Sequence, residues 1–375
     1  MTIVLVIAAG AAVCLFVVCL ARALSMASLQ IPPEELPSLV CVAEEQAGIL
    51  ARTLTFKTIA KMYPEPFDTA PFLAMHRHLA ESFPLCHKRL APKLIGALNL
   101  LFTWEGKDTS LPGILLMAHQ DVVPVEEGTE GDWKHDAFSG AVADGYIWGR
   151  GALDMKNQLT GILAAAELLL KEDFQPERTI YFGFGCDEEV GGIAGARLIA
   201  EYLRSKGIRL SSVLDEGGAV VAGLVPGVRK PVALVGIAEK GYMTLTLEAR
   251  DEGGHSSMPP RLTSLGRVCR ALSRMEERPF KPAIKGAVRH FLRFLAPELP
   301  FAQKFVIANS WLFKPLVIRM LSASKATNAL IRTTQAGTMA SASEKENVLP
   351  QKAEIKVNFR RSEERRVGKE CRSRW

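Results

Sequence analysis

Two hydrophobic periods alternate along this chain, and the switches between them mark its elements. Ile3 to Ala21 is an unbroken run of apolar residues and glycine, 19 long, closed by Arg22. At 1.5 Å per residue, a helix of that length nearly crosses a hydrocarbon core. A Pro-rich connector follows from Ile31 to Pro37, and Leu39 to Lys61 reads as mostly helical until Pro64, Pro66 and Pro71 interrupt the pattern. Phe72, Leu73, Leu79 and Phe83 recur at helical spacings and predict a helix from Phe72 to Phe83. Its His76 and His78 are expected at the surface rather than as ligands. Leu98–Trp104 and Ile114–Ala118 read as strands, separated by the turn-rich stretch Asp108 to Gly113. A long loop rich in glycine and acidic residues runs from Val122 to Tyr146. Loops of that length inside a domain are usually functional.

Beyond the loop, the pattern predicts a helix over Leu159–Leu170, a strand over Thr179–Gly185, a helix over Ile193–Ser205 and a short strand over Ser212–Leu214. Acidic groups stand at successive strand ends. This is the order of a doubly wound α/β domain with a site along one sheet edge. From Pro231 the texture changes. Strands are expected at Val232–Ile237, Tyr242–Ala249, Ala329–Thr334 and Glu354–Phe359, with a helix near Thr263–Glu277. A Phe- and Leu-rich excursion spans Phe291–Met320. The expected organisation is a hydrophobic anchor or signal over 1–24, a metal-binding domain over 38–230, an inserted α+β domain over 231–360 and a foreign tail over 361–375.

A length of 375 residues fits two domains, and 48% hydrophobic with 23% charged residues is a globular composition. The net charge is +6. Residues 361–375 hold six Arg or Lys and three Glu, so 6 − 3 = +3, half of the total, sits in the tail. What remains is too weakly basic to argue for nucleic acid. The seven cysteines are odd in number and form no Cys-x-x-Cys pair, which argues against a disulfide framework and a thiolate zinc site. The N-terminal run is longer than a usual secretory core and lacks a basic stretch before it. It reads as a membrane anchor; cleavage near Ala21-Arg22-Ala23 would instead release a secreted chain.

The candidate chemistry lies at the strand ends. His119 and Asp121 are two residues apart on an extended segment and so point the same way. Asp154, Glu188, Glu189 and Glu216 follow at later strand ends or loops. Such carboxylates converging without Lys or Arg would repel one another, and bound cations remove that cost. Nitrogen and oxygen donors without thiolate suit Zn²⁺, with Mn²⁺ or Co²⁺ as alternatives.

His119-Gln-Asp121, Gly149-Arg-Gly-Ala-Leu-Asp154-Met-Lys, Asp187-Glu-Glu189, Asp215-Glu-Gly217 and Gly254-His-Ser-Ser-Met-Pro259 occur in that order. Together they resemble the di-metal peptidase family of aminoacylase, acetylornithine deacetylase and carboxypeptidase S. The long loop, the helical excursion and the apolar N-terminus are most similar to its N-fatty-acyl-amino-acid synthase/hydrolase and carboxypeptidase S branch. The resemblance covers about residue 40 to Arg360. It implies a zinc-peptidase-like α/β domain, its mixed sheet flanked by helices, with an inserted α+β lid that forms a homodimer.

The resemblance also implies roles. His119, Asp154, Glu189 and Glu216 would be metal ligands for two Zn²⁺, with Asp154 bridging and the peptide after it cis. Asp121 would orient His119, and Glu188 would be the general base toward a metal-held water. His255 would reach the partner subunit's site and stabilise the oxyanion, and Asn328 and Arg360 would grip a substrate carboxylate. The implied reaction is hydrolysis of an amide beside a free carboxylate, in an N-acyl amino acid or small peptide. A Gly-X carboxypeptidase or dipeptidase is the alternative enzyme, and a non-catalytic membrane-anchored homologue is the rival from another class. One departure is expected to matter. The family returns to the metal domain after its Asn-x-Arg strand and supplies a final His to the second metal. Here Arg360 is followed by a tail without apolar periodicity, and no residue matches that His.

Overall fold

The apolar N-terminal run folds as one helix, α1 (Thr2–Leu24). The computed structural model describes residues 1–31, 43–223, 227, 228 and 230–361. Most of the Pro-rich connector and the expected tail after Arg361 lie outside the described residues. The chain divides into two compact units, Glu35–Gly217 and Met1–Glu34 with Gly218–Trp375. Each is described by itself.

In the Glu35–Gly217 unit the order is α2 (Ala43–Leu54), α3 (Ala70–Ser82), α4 (Pro84–Leu90), β1 (Lys93–Ile95), β2 (Asn99–Trp104), β3 (Gly113–His119), β4 (Val142–Ala143), β5 (Tyr146–Ile147), α5 (Lys156–Lys171), β6 (Ile180–Gly185), α6 (Ala196–Ser205) and β7 (Leu210–Leu214). Five strands form one mixed sheet in the order β1-β2-β6-β3-β7. β2 runs antiparallel to β1 and β6, whereas β3 runs parallel to β6 and β7. The pleat sorts the side chains. Leu100, Phe102 and Trp104 face a core built with Phe83 of the α3–α4 junction and Leu159 and Leu163 of α5; Leu101 and Leu115 face Ile199 and Leu203 of α6. The helices obey their own period: Leu159, Leu163, Ala166 and Leu170 share the buried face of α5.

Polar ends are tied down inside this packing. The buried carboxylate of Glu167, on α5, accepts the N–H groups of Leu85 (3.0 Å) and Cys86 (2.9 Å). These are first-turn donors of α4 that no helical carbonyl can satisfy. The long loop contains a short 3₁₀ turn, Glu130–Asp132, and the small β4–β5 pair. It is thus more structured than its composition predicts.

The other unit contains β8 (Ala219–Val221), β9 (Val232–Leu234), β10 (Gly241–Arg250), β11 (Gly254–His255), α7 (Ser264–Glu276), α8 (Gly286–Leu295), α9 (Phe301–Ala308), α10 (Ser310–Ser322), α11 (Lys325–Leu330), β12 (Thr334–Ser341), β13 (Val348–Leu349) and β14 (Lys352–Arg361). An antiparallel sheet runs β10-β14-β12. Ala353, Ile355, Val357 and Phe359 alternate inward along β14 and pack with Val268 of α7. The strand expected at Ala329–Thr334 is absent, since the chain is helical to Leu330 and β12 begins at Thr334. One local bond and two long-range ones decide this. Ser324 Oγ accepts Thr327 N–H at 3.2 Å and starts the helix. Lys240 Nζ then donates to the carbonyls of Ala329 and Arg332, both at 2.9 Å, where the helix ends.

Candidate metal centre

Parallel strands bring their C-terminal ends to one sheet edge, and β3, β6 and β7 are parallel neighbours. β3 delivers His119, the turn after β6 carries Glu188 and Glu189, and the turn after β7 carries Glu216. Asp154 arrives from the loop before α5, and the Asp154–Met155 peptide is cis. Gly151, at φ +87°, shapes that approach: a Cβ there would stand 2.9 Å from Val122 Cγ1.

The donors converge on one imidazole nitrogen. His119 Nε2 lies 3.0 Å from Asp154 Oδ1, 3.2 Å from Glu216 Oε2 and 3.9 Å from Glu188 Oε2. One donor atom each from His119, Asp154 and Glu216 lies within 4.8 Å of the others. His119 is buried, and its Nδ1 meets the Asp121 main-chain carbonyl at 2.9 Å. The Asp121 carboxylate is farther, at 3.4 Å from Nδ1. It is fully buried and accepts the N–H groups of Glu188 (3.0 Å, Oδ1) and Glu189 (3.1 Å, Oδ2). Asp121 therefore fixes both the imidazole and the turn that carries Glu188.

Burial lowers the affinity of His119 for a proton, but hydrogen bonds and charge from Asp121, Asp154 and Glu216 outweigh it and raise the pKa to about 10. Glu188 is pushed up to about 7, first by burial and then by Glu216, with Glu189 and Asp121 adding to it against the opposing pull of His119. Glu189 and Glu216 are raised too, each chiefly by burial, with Asp154 the largest charge contribution to the first. Among the described residues, His119 is the one ion-pair partner of Asp154, Glu188 and Glu216. A bound cation would offset the repulsion within this set of oxygens, and an imidazole bonded through Nδ1 can offer Nε2 to it. His119, Asp154 and Glu216 fit such an ion. Glu189 does not join that trio among the described residues.

The remaining expected residues lie in the other unit. His255, on β11, is exposed, and its Nδ1 is engaged by Ser257 Oγ at 2.8 Å. Asn328 lies on α11. Arg360, on β14, sets its guanidinium 4.8 Å from the centre of the Tyr242 ring. Lys240, which closes α11, is lowered by burial and by the charge of Arg360. Sequence reasoning gave Lys240 no role, because nothing in Glu239-Lys240-Gly241 shows which carbonyls it will meet.

Gln120 and Lys156 also escaped the sequence reading. Gln120, between His119 and Asp121, points the opposite way and is fully buried, with Nε2 donating to the carbonyls of Leu98 (2.9 Å) and Phe184 (2.8 Å). Its Oε1 meets His76 Nε2 at 2.5 Å. His76 and His78 are accordingly half-buried and hydrogen-bonded, not free surface side chains. Lys156 is fully buried at the start of α5, and its Nζ donates to the carbonyls of Phe56 (2.8 Å) and Thr53 (3.3 Å). The apolar face of α5 concealed it.

Residues 115–366 match peptidase family M20/M25/M40. The chain belongs to this family. A human N-fatty-acyl-amino acid synthase/hydrolase is 45% identical over 84% of this chain and 61% of its own length. A probable carboxypeptidase S-like protein of Dictyostelium discoideum is 40% identical over 88% of this chain and 64% of its own. Carboxypeptidase S of Saccharomyces cerevisiae is 34% identical over 79% of this chain and 54% of its own. The chain thus spans less than two thirds of the length of these relatives. Human carnosine dipeptidase 1 shares the fold at 14% identity with a TM-score of 0.51, covering 86% of this chain and 71% of the other. A yeast di-peptidase does so at 15% identity and 0.53, covering 87% and 71%. The mixed sheet flanked by helices and the metallopeptidase family agree with the expectation from the motifs.

Proposed function

We propose that this chain carries the metal site of a hydrolase acting on the amide bond of N-acyl amino acids or small peptides with a free carboxylate. The observation that carries the reading is the meeting of His119, Asp154 and Glu216 donors within 4.8 Å, with Glu188 beside the same imidazole nitrogen. His119, Asp154 and Glu216 would hold one Zn²⁺, and Asp154 with Glu189 would contribute to a second; Mn²⁺ and Co²⁺ suit the same donors. Bound there, such cations supply Lewis acidity toward the scissile carbonyl and make a nearby water more acidic.

The chain's own groups do the rest. Glu188, raised to about 7, is matched to accept a proton from water and pass it to the leaving amine. Asp121 holds the Glu188 turn in place while its carbonyl fixes His119. Arg360, Asn328 and the cationic Lys240 region would receive the substrate carboxylate, a guanidinium being suited to bidentate binding. His255 would serve the site of a second copy by stabilising the oxyanion, with the α+β unit as the dimer contact.

Glu188→Gln tests the assignment. The variant is expected to keep the bound metal of the parent, measured by elemental analysis, while hydrolysis of an N-acyl amino acid falls at least about a hundredfold. Hydrolysis at the parent rate would remove Glu188 from the mechanism. Parallel assays with Gly-X dipeptides separate the carboxypeptidase reading, which the yeast and Dictyostelium relatives favour by name.

A further inference from the structure

α1 does not stand apart from the rest of its unit. Cys19 and Ala23 on its later turns are almost fully buried. The fully buried Asn309, at the junction of α9 and α10, donates from Nδ2 to the Cys19 carbonyl at 2.9 Å. Arg22 donates from Nε and Nη2 to the Ala308 carbonyl, both at 3.4 Å. The rings of Phe16 and Phe305 stand 6.1 Å apart. Past the helix, Ser28 Oγ donates to Glu298 (2.5 Å) and Gln30 Nε2 to the Phe294 carbonyl (3.1 Å). The second half of α1 is thus built into the helical excursion.

The first half is bare. Ile3, Val4, Leu5, Val6 and Ile7 are 64–75% exposed. α1 is long and apolar enough to cross a membrane, and α9 with α10, bent by 119° at their break, passes the same test as a pair. On that pair Phe301, Trp311, Leu312, Leu316 and Met320 are 40–57% exposed. A water-soluble surface rarely carries so many large apolar side chains in one region. The charges nearby have one sign: no acidic residue lies between Glu298 and Glu344, whereas Lys304, Lys314, Arg319, Lys325 and Arg332 do.

We propose that α9 and α10 are a second membrane-embedded element, a bent helix pair that enters the bilayer beside α1 and is fastened to it through Asn309 and Arg22. The occupant of the exposed face is lipid hydrocarbon, because the face continues onto a helix of spanning length and apolarity. Helical backbone satisfies its own polar groups there. At the break, Asn309 Nδ2 also donates at 2.9 Å to the Phe305 carbonyl, which accepts the Asn309 N–H at 3.2 Å as well. The basic residues suit anionic headgroups at the rim. The inference holds whether or not the metal centre hydrolyses amides.

The test places the photocrosslinking amino acid benzoylphenylalanine at Val6, Trp311, Leu316 or Met339 of the full chain, synthesised into vesicles of phosphatidylcholine and phosphatidylserine. All four positions are exposed, so the substitutions leave the packing intact. Lipid adducts are expected at Trp311 and Leu316 in yields comparable with Val6, and only at background level at Met339 on β12. Yields at Trp311 and Leu316 no higher than at Met339 would overturn the proposal, whether or not Val6 reacts. Adducts at Val6 alone would leave α1 as a simple anchor.

Discussion

Asp121 acts on the site through two different parts of itself. Its main-chain carbonyl takes His119 Nδ1, and its carboxylate takes the N–H groups of Glu188 and Glu189. Asp121→Asn keeps the size and the main-chain contact but replaces one acceptor oxygen by a donor, leaving one of the two N–H groups facing another donor. Loss of such an orienting partner typically costs about 10–100-fold in metal affinity or activity. The expected result is a fall of that order in metal affinity, kcat or both, read by competition with a chelating dye and by steady-state kinetics. Parent values in both would reduce Asp121 to filler. The sequence revealed that His119 and Asp121 share a face, since a strand repeats every two residues. It could not reveal that the carboxylate spends both oxygens on a turn 67 residues later, nor that Gln120 locks the opposite face to His76. Those contacts depend on how β3 and β6 pair and how α3 lies against them, and no local pattern encodes that.

α3 and α4 bring three histidines under the sheet. Burial is the first cause in each and holds His76, His78 and His87 below the usual imidazole value, although hydrogen bonds that they donate to the Gln120 side-chain oxygen and to the Ile49 and Phe83 carbonyls partly oppose it. The folded state therefore binds fewer protons than the unfolded chain between these lowered values and 6.5. Stability rises with pH through that window, is complete above it and is lost as pH falls. Melting temperature is expected to drop between pH 6.5 and pH 5, with amides of α3 and α4 exchanging first, and His76→Gln should shrink the drop. Glu188, raised to about 7, acts in the opposite sense over this range, so the comparison of parent and variant decides: an unchanged pH dependence in His76→Gln would show that His76 protonates without cost. In α5, Leu163→Ala is expected to cost about 2–5 kcal/mol in chemical denaturation, because the side chain is fully buried in the core that α5 shares with α3, α4 and the sheet. Its register was legible as a 3.6-residue apolar stripe. β12 was not legible, since most of its residues are exposed and no alternation marks it. A helix capped by Ser324 and closed by Lys240 takes the first two residues of the place where a strand was expected, and β12 begins only at its last.

At the scale of the whole molecule, the order of motifs predicted the mixed sheet and the edge that carries the site, because parallel strands fix which ends lie together. β7 pairs with β3 on one side and stands at the edge of the five-stranded sheet. Parallel strands are ordinarily covered on both faces, yet Val213 and Leu214 are 53% and 58% exposed. An unpaired strand edge with large apolar side chains is a template for another strand. This chain is therefore expected to self-associate through β7, beyond any dimer formed by the α+β unit, as its concentration rises. Val213→Lys places a charge on that edge without touching the donors of the metal centre. It should lower light scattering in lipid vesicles or detergent while leaving metal content unchanged. Equal scattering by the parent and the variant would mean that β7 does not drive association. The aggregating surface would then have to be sought among the exposed apolar side chains of α1, α9 and α10.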